Sequence, residues 1–128
     1  MTPNYAIYRQ SYITCLSIGK TFDYLPKAGE EYPFIYIQKV PTENENETKD
    51  LTGTATQTIK IFARREQSAT ADNMAAELRN KLLTQRKAFE YSLSRNSVSI
   101  QPMDADAQNE QVDQYIIRYV TRYSKKER

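Results

Sequence analysis

The 128-residue chain has no histidine, no tryptophan and one cysteine, Cys15. Without histidine it lacks the commonest general base near neutral pH and the commonest neutral metal ligand. Carboxylate and lysine chemistry stay open, but the expectation of an enzyme falls. A lone cysteine excludes an internal disulfide and fits a reducing compartment. There are only three glycines, and no glycine-rich phosphate-binding loop. No apolar run reaches the length of a membrane-spanning helix. The opening Met1-Thr-Pro-Asn-Tyr-Ala6 lacks the basic segment and apolar core of a secretory signal. The formal net charge of +2 is too small to imply nucleic acid by itself.

What is present fits a single domain over residues 1–128, large enough to bury a core. Hydrophobic residues make up 39% and charged residues 27%, the usual balance of a folded domain. Ten tyrosines stand out in so short a chain. Tyrosine covers apolar surface while offering a hydroxyl to a wet edge, which suits interfaces; it also favours strands.

The chain is organised around residues 54–83. Over 54–63, Ala55, Ile59, Ile61 and Ala63 alternate with Thr54, Thr56, Thr58 and Lys60, which predicts a strand with one buried face. Phe62 interrupts the polar side. Over 69–83, Ala71, Met74, Ala75, Leu78 and Leu82 form one helical stripe, with Ser68 or Thr70 as the expected cap. A helix laid on a sheet follows. Residues 3–17 read as a first helix, with Pro3 in its first turn and Tyr5, Tyr8, Tyr12 and Cys15 or Leu16 as its stripe, thickened by Ile7 and Ile18. Short strands are expected over 20–25 and 33–40. Phe34-Ile-Tyr-Ile37 is apolar on both faces, as for a strand inside a sheet. A further strand runs from 89 to 97 and on through 98–101. Residues 102–109 read as a polar connection, and 112–123 as the last strand, with Tyr115, Ile117, Tyr119 and Tyr123 on one face. The expected fold class is α/β (α+β): a small mixed or antiparallel sheet of about five strands, an N-terminal helix, and one helix packed on the sheet.

Residues 41–53 form a long polar loop carrying Glu43, Glu45, Glu47 and Asp50 against Lys49. It has too little apolar surface to offset its own ordering, so an outside contact is expected to hold it. Its acids do not follow the glycine and glutamate spacing of a calcium loop. Glu30 and Glu31 read as solvated carboxylates, and Asp104 with Asp106 offers too few ligands for a cation. Arg64 and Arg65 face the start of the second helix, where a phosphate is conceivable; two solvated arginines are the plainer reading. The basic tail 124–128 includes Lys125 and Lys126, with no aromatic platform, recognition helix or zinc spacing beside it. No catalytic, metal or cofactor site is expected. The candidate assembly loop is Glu43, Glu45, Glu47, Lys49 and Asp50. Candidate inter-subunit or surface contacts are Arg64, Arg65, Tyr115, Tyr119, Arg122, Lys125 and Lys126.

The ordered segments Phe22-Asp-Tyr-Leu-Pro26, Tyr32-Pro-Phe-Ile-Tyr36, Thr48-Lys49, Thr56-Gln-Thr-Ile-Lys-Ile-Phe62, Met74-Ala-Ala-Glu-Leu-Arg-Asn-Lys-Leu82 and Phe89-Glu-Tyr-Ser-Leu93 precede a closing tyrosine-rich strand. In this order the chain resembles the tail terminator, or tail completion, proteins of long-tailed phages of Gram-positive bacteria. The resemblance runs from about Ile18 to Tyr123 and rests on order and spacing, not on one motif. It implies a non-enzymatic subunit that assembles as a hexameric ring, stops polymerisation of the tail tube and offers a head-side joining surface. The implied partners are further copies of itself, the tail tube protein and a head-side connector protein. The implied location is the virion tail, with the host cytoplasm during assembly. Residues 42–52 would then meet the tube or the ring neighbours. The acidic run 43–50 and the basic tail depart from the family's pattern. A head-tail connector or minor tube subunit is the runner-up. A nucleic-acid-binding module using the basic tail ranks lower, and a carboxylate hydrolase lowest. No membrane partner is expected.

Overall fold

A computed structural model describes residues 1–27, 30–39, 52–107 and 110–125, and among them are two α-helices and six extended segments. The second helix, α2, spans Ser68–Leu83 and buries Ala71, Ala75, Leu78 and Leu82, with Met74 partly covered. This is the stripe its periodicity predicts. The alanines bring the helix close to the sheet, and the leucines fill the space beyond. Its start differs from expectation: neither Ser68 nor Thr70 caps it. A 3-10 turn, Arg65–Gln67, precedes the helix and already engages the Ser68 N–H with the Arg65 carbonyl. The Ser68 hydroxyl donates instead to that carbonyl at 2.7 Å and to Asp113 Oδ2 at 3.1 Å.

The first helix, α1, spans Pro3–Leu16, with Thr2 accepting from the Tyr5 N–H at 3.3 Å. Its buried face is Ala6, Ile7, Tyr8, Ser11, Thr14 and Cys15. Ile7, Tyr8 and Cys15 of the expected stripe lie on it and Tyr12 and Ile18 pack against the core, whereas Tyr5 and Leu16 are exposed. Apolar residues surround this helix, so periodicity alone does not choose a face. Partners decide it: the Thr14 hydroxyl donates to Gln85 Oε1 at 2.6 Å inside the protein. Burial also pushes the Cys15 thiol up to about 12.

The strands are β1 Thr21–Phe22, β2 Phe34–Ile37, β3 Thr52–Arg64, β4 Lys87–Ala88, β5 Tyr91–Ala107 and β6 Glu110–Ser124. They form one sheet in the order β1-β2-β3-β6-β5-β4. β1 and β2 are parallel and all other pairs antiparallel, so the sheet is mixed. The fold class is the expected α+β arrangement, with six strands where about five are expected. The added strand is β4, whose two residues pair with β5 across a turn at Phe89, φ 58°. Two residues carry too short a pattern to read from sequence.

Both helices pack on one face of the sheet. That face holds Ile35 and Ile37 of β2, Ala55, Ile59, Ile61 and Ala63 of β3, and Ile117, Tyr119 and Tyr123 of β6. Two expected connections belong to strands. Thr52 and Gly53, read as the end of the 41–53 loop, open β3, with Gly53 opposite Tyr123. A Cβ on Gly53 would lie 2.5 Å from the Tyr123 hydroxyl oxygen, so this glycine marks a close approach and not a loop end. Residues 102–107, read as a polar connection, continue β5 and pair with β6. Their polarity hid them, because a two-stranded ribbon satisfies its backbone without an apolar face. Pro102 is tolerated because β5 has no partner on its other side there among the described residues.

A bulge in β5 reconciles the apolar pattern with the sheet. Tyr91 and Leu93 sit on the core face at odd positions, whereas Val98 and Ile100 meet the same core at even ones. The register shifts between Ser94 and Ser97, and Arg95 takes φ 53°. One extra residue flips the alternation, as side chains on a strand change face at every step.

Leu78 is fully buried at the centre of α2. Leu78→Ala is expected to cost about 2–5 kcal/mol in denaturant melts. Glu77→Ala, at an exposed position of the same turn, is expected to stay within about 0.5 kcal/mol of wild type.

Candidate functional site

The face of the sheet opposite the helices follows from register. Thr54, Thr56, Thr58, Lys60, Phe62 and Arg64 of β3 lie beside Arg122, Val120, Arg118, Ile116, Gln114 and Val112 of β6. Beyond the bulge, Ser97, Ser99, Gln101 and Met103 of β5 extend the same rows. This face is closed at its Val112 end, where Val112 is buried, but neither helix packs on it; along β6 the half-buried Ile116 and Val120 alternate with the exposed Arg118 and Arg122. These register positions carry four cations, Lys60, Arg64, Arg118 and Arg122, and no carboxylate. Among the described residues, no carboxylate lies within 4.0 Å of Lys60, Arg118 or Arg122.

The β1–β2 end of this face is aromatic. Phe34 is buried among Phe22, Tyr32 and Phe62, at centroid distances of 5.7, 5.3 and 5.2 Å. Phe22 also meets Tyr24 edge-on. These rings cover one another, so the apolar run Phe34-Ile-Tyr-Ile37 is satisfied on both sides, as its sequence predicts. The Arg64 guanidinium lies 5.1 Å over the Tyr32 ring, which closes the cluster.

The expected contact residues fall in different places. Arg122 projects from the outer face. Arg64 is committed to Tyr32, and Arg65 lies 3.8 Å from Asp113 Oδ1 at an exposed position. So the two arginines do not converge on the start of α2 as a phosphate site requires. Tyr115 is half-buried on the inner side, where it lines an open cavity of about 240 Å³ with Pro102, Met103 and Asp113. Burial, then Asp72 and Asp113, raises its pKa. Tyr119 is a correction: it is fully buried and presents nothing to a partner. Its ring belongs to the core, and its hydroxyl accepts from Gln85 Nε2 at 3.1 Å. Alternation on β6 put it on the same face as Ile117 and Tyr123, and that face is the interior. Lys125 is half-buried after β6. Glu43, Glu45, Glu47, Lys49, Asp50 and Lys126 lie outside the described residues. Glu30 pairs with Lys20 at 2.8 Å, and no group of three potential metal-ligating side chains occurs among the described residues.

A buried polar network sets which face of the β5–β6 ribbon turns outward. The Asn96 amide, at the bulge, donates to the carbonyls of Leu82, Leu83 and Gln85 at 3.1, 3.1 and 2.7 Å. These are carbonyls at and just past the end of α2, where a helix has acceptors and no internal donors. Asn96 Oδ1 accepts from the Thr121 hydroxyl at 2.5 Å. Gln85 then joins Thr14 of α1 to Tyr119 of β6. Sequence reading missed this group; its one signal is the Arg-Asn pair interrupting an extended pattern, which marks a bulge or turn.

No family model and no curated protein sequence matches the chain.

Removing the Asn96 amide takes its donor from the carbonyls of Leu83 and Gln85, while the Leu82 carbonyl keeps the Gln85 N–H at 3.2 Å. Asn96→Ala is expected to cost about 1–3 kcal/mol in urea melts. Asn96→Asp is expected to cost at least as much, because it directs acceptor oxygens at acceptors. A loss near zero for both would show that water replaces the amide.

Proposed function

We propose that this protein is a non-enzymatic structural subunit that assembles into a ring, six copies in the family it resembles, and caps a phage tail tube. The ring ends tube polymerisation and gives the head-side connector a joining surface. The observation that carries this reading is the order of the segments from Phe22-Asp-Tyr-Leu-Pro26 to the tyrosine-rich closing strand. The outer sheet face supports it: Ile116, Val120 and Met103 sit among cations on a face that neither helix covers. A closed ring needs each subunit to offer one patch to a different patch on its neighbour. The working partners are then further copies of the chain, the tail tube protein and the connector, in the virion tail and earlier in the host cytoplasm.

Electron microscopy of particles made without this protein tests the proposal. Overlong, uncapped tails are expected. Normal-length tails beside detached heads would overturn termination and assign the subunit to the connector instead.

A further inference from the structure

We infer that α1 carries a second interaction surface, and that its occupant is α1 of another copy of this chain, laid antiparallel across a two-fold axis. The contact does not rest on the ring reading above, because α1 lies on the opposite side of the sheet from Arg118 and Arg122. α1 has one charged residue, Arg9, among its 14. Its neighbour α2 carries Asp72, Glu77, Arg79 and Lys81, all exposed. A helix that is apolar all round is normally covered all round. α1 is covered on one side only. Ala6, Ile7, Tyr8, Ser11, Thr14 and Cys15 face the interior, while Tyr5, Ile13 and Leu16 are 45%, 46% and 52% exposed.

At about 100° per residue, Tyr5, Arg9, Tyr12 and Leu16 fall within an arc of about 60°, and Ile13 lies beside it. Their spacing of four, three and four residues is that of a helix-pairing seam. The spacing reads the same in both directions, so the stripe complements itself when a second copy is reversed. Tyr5 then meets Leu16 of the other copy, and Arg9 meets Tyr12 of the other copy. No carboxylate lies within 4.0 Å of Arg9 among the described residues, so its guanidinium can settle on that ring. A parallel pair would set the two Arg9 side chains against each other in a seam that loses water, which is costly. A strongly charged partner finds nothing to pair with along this stripe. Helices that lie on lipid carry several cations along their polar edge, and α1 has one. A single pair of helices about 21 Å long makes a small interface, so the dimer is weak.

Thiol cross-linking reads the orientation. Tyr5→Cys and Leu16→Cys are made separately. The native Cys15 is fully buried, with its thiol pushed up to about 12, and stays silent. In the antiparallel pair, position 5 of one copy lies beside position 16 of the other, while the two copies of position 5 stand about 16 Å apart. A disulfide needs Cα atoms within about 7 Å. Mixing the two variants is therefore expected to give at least about tenfold more disulfide-linked dimer than either variant alone. Sedimentation supplies a second readout. Wild type is expected to self-associate with a Kd tighter than about 1 mM and, unlike an ion pair, to hold as salt rises. Leu16→Glu is expected to weaken this association at least about tenfold, by placing an unpaired carboxylate in the seam. Leu16 is exposed in the subunit, so melting of the variant should match wild type. If it misfolds, Tyr5→Glu at the other end of the stripe is expected to give the same loss.

Four results would overturn the inference. One is wild type that stays monomeric, with a Kd weaker than about 1 mM. Another is a folded Leu16→Glu variant that associates like wild type. A third is cross-linking as strong in each single variant as in the mixture, which would make the helices parallel. The last is a monomer that floats with vesicles of mixed neutral and anionic lipid, which would assign the stripe to a lipid surface. Tail length in the protein's absence tests only the capping role.

Discussion

The amide of Asn96 is the contact on which the arrangement of this fold depends. It sits in the one-residue bulge of β5 and gathers the last carbonyls of α2, while its oxygen holds Thr121 of β6. The bulge alone would flip the side-chain alternation and nothing more. The amide ties that flip to the end of the helix, so the ribbon can present only one face to the core. Arg95 pays for it with a left-handed backbone, φ 53°, which costs a non-glycine residue on the order of 1–3 kcal/mol. The hydrogen bonds that the amide gives the partly buried carbonyls of Leu83 and Gln85 offset a cost of that size.

Once the inner face is chosen, the outer one is fixed. Tyr91, Leu93, Val98, Ile100, Ile117, Tyr119 and Tyr123 turn toward α1 and α2. Lys60, Arg118 and Arg122 then have to stand on the other side, together with Ile116 and Val120. The aromatic cluster around Phe34 seals one end of that outer face, and the rest stays without a partner inside the described subunit. The same alternation that builds the core thus builds a surface with both apolar and cationic character.

Much of this was legible in the sequence where periodicity was strong and one-sided. The α2 stripe and the alternation on β3 each had one apolar face, so the buried residues could be named. α1 was legible as a helix and in most of its stripe; Tyr5, Ser11 and Thr14 were misplaced, because its apolar residues surround it and the Thr14–Gln85 bond helps decide the face. The far half of β5 was not legible, since its polar residues pair through backbone alone. Tyr119 was assigned to the surface because tyrosine suits both core and interface, and only the Gln85 bond separates the two. The cationic face was present residue by residue. It became a surface only when register placed β3, β6 and β5 side by side.

The proposed assembly role turns on whether the outer face is its contact surface. Hydroxyl-radical footprinting of the chain, free and bound to tail tubes, measures this directly. Met103 is exposed in the subunit and its sulfur oxidises readily; Ile116 and Val120 flank Arg118 on the same face. Labelling of all three is predicted to fall several-fold on assembly. Unchanged labelling on tube-bound protein would mean that assembly uses another surface, and the account would be wrong.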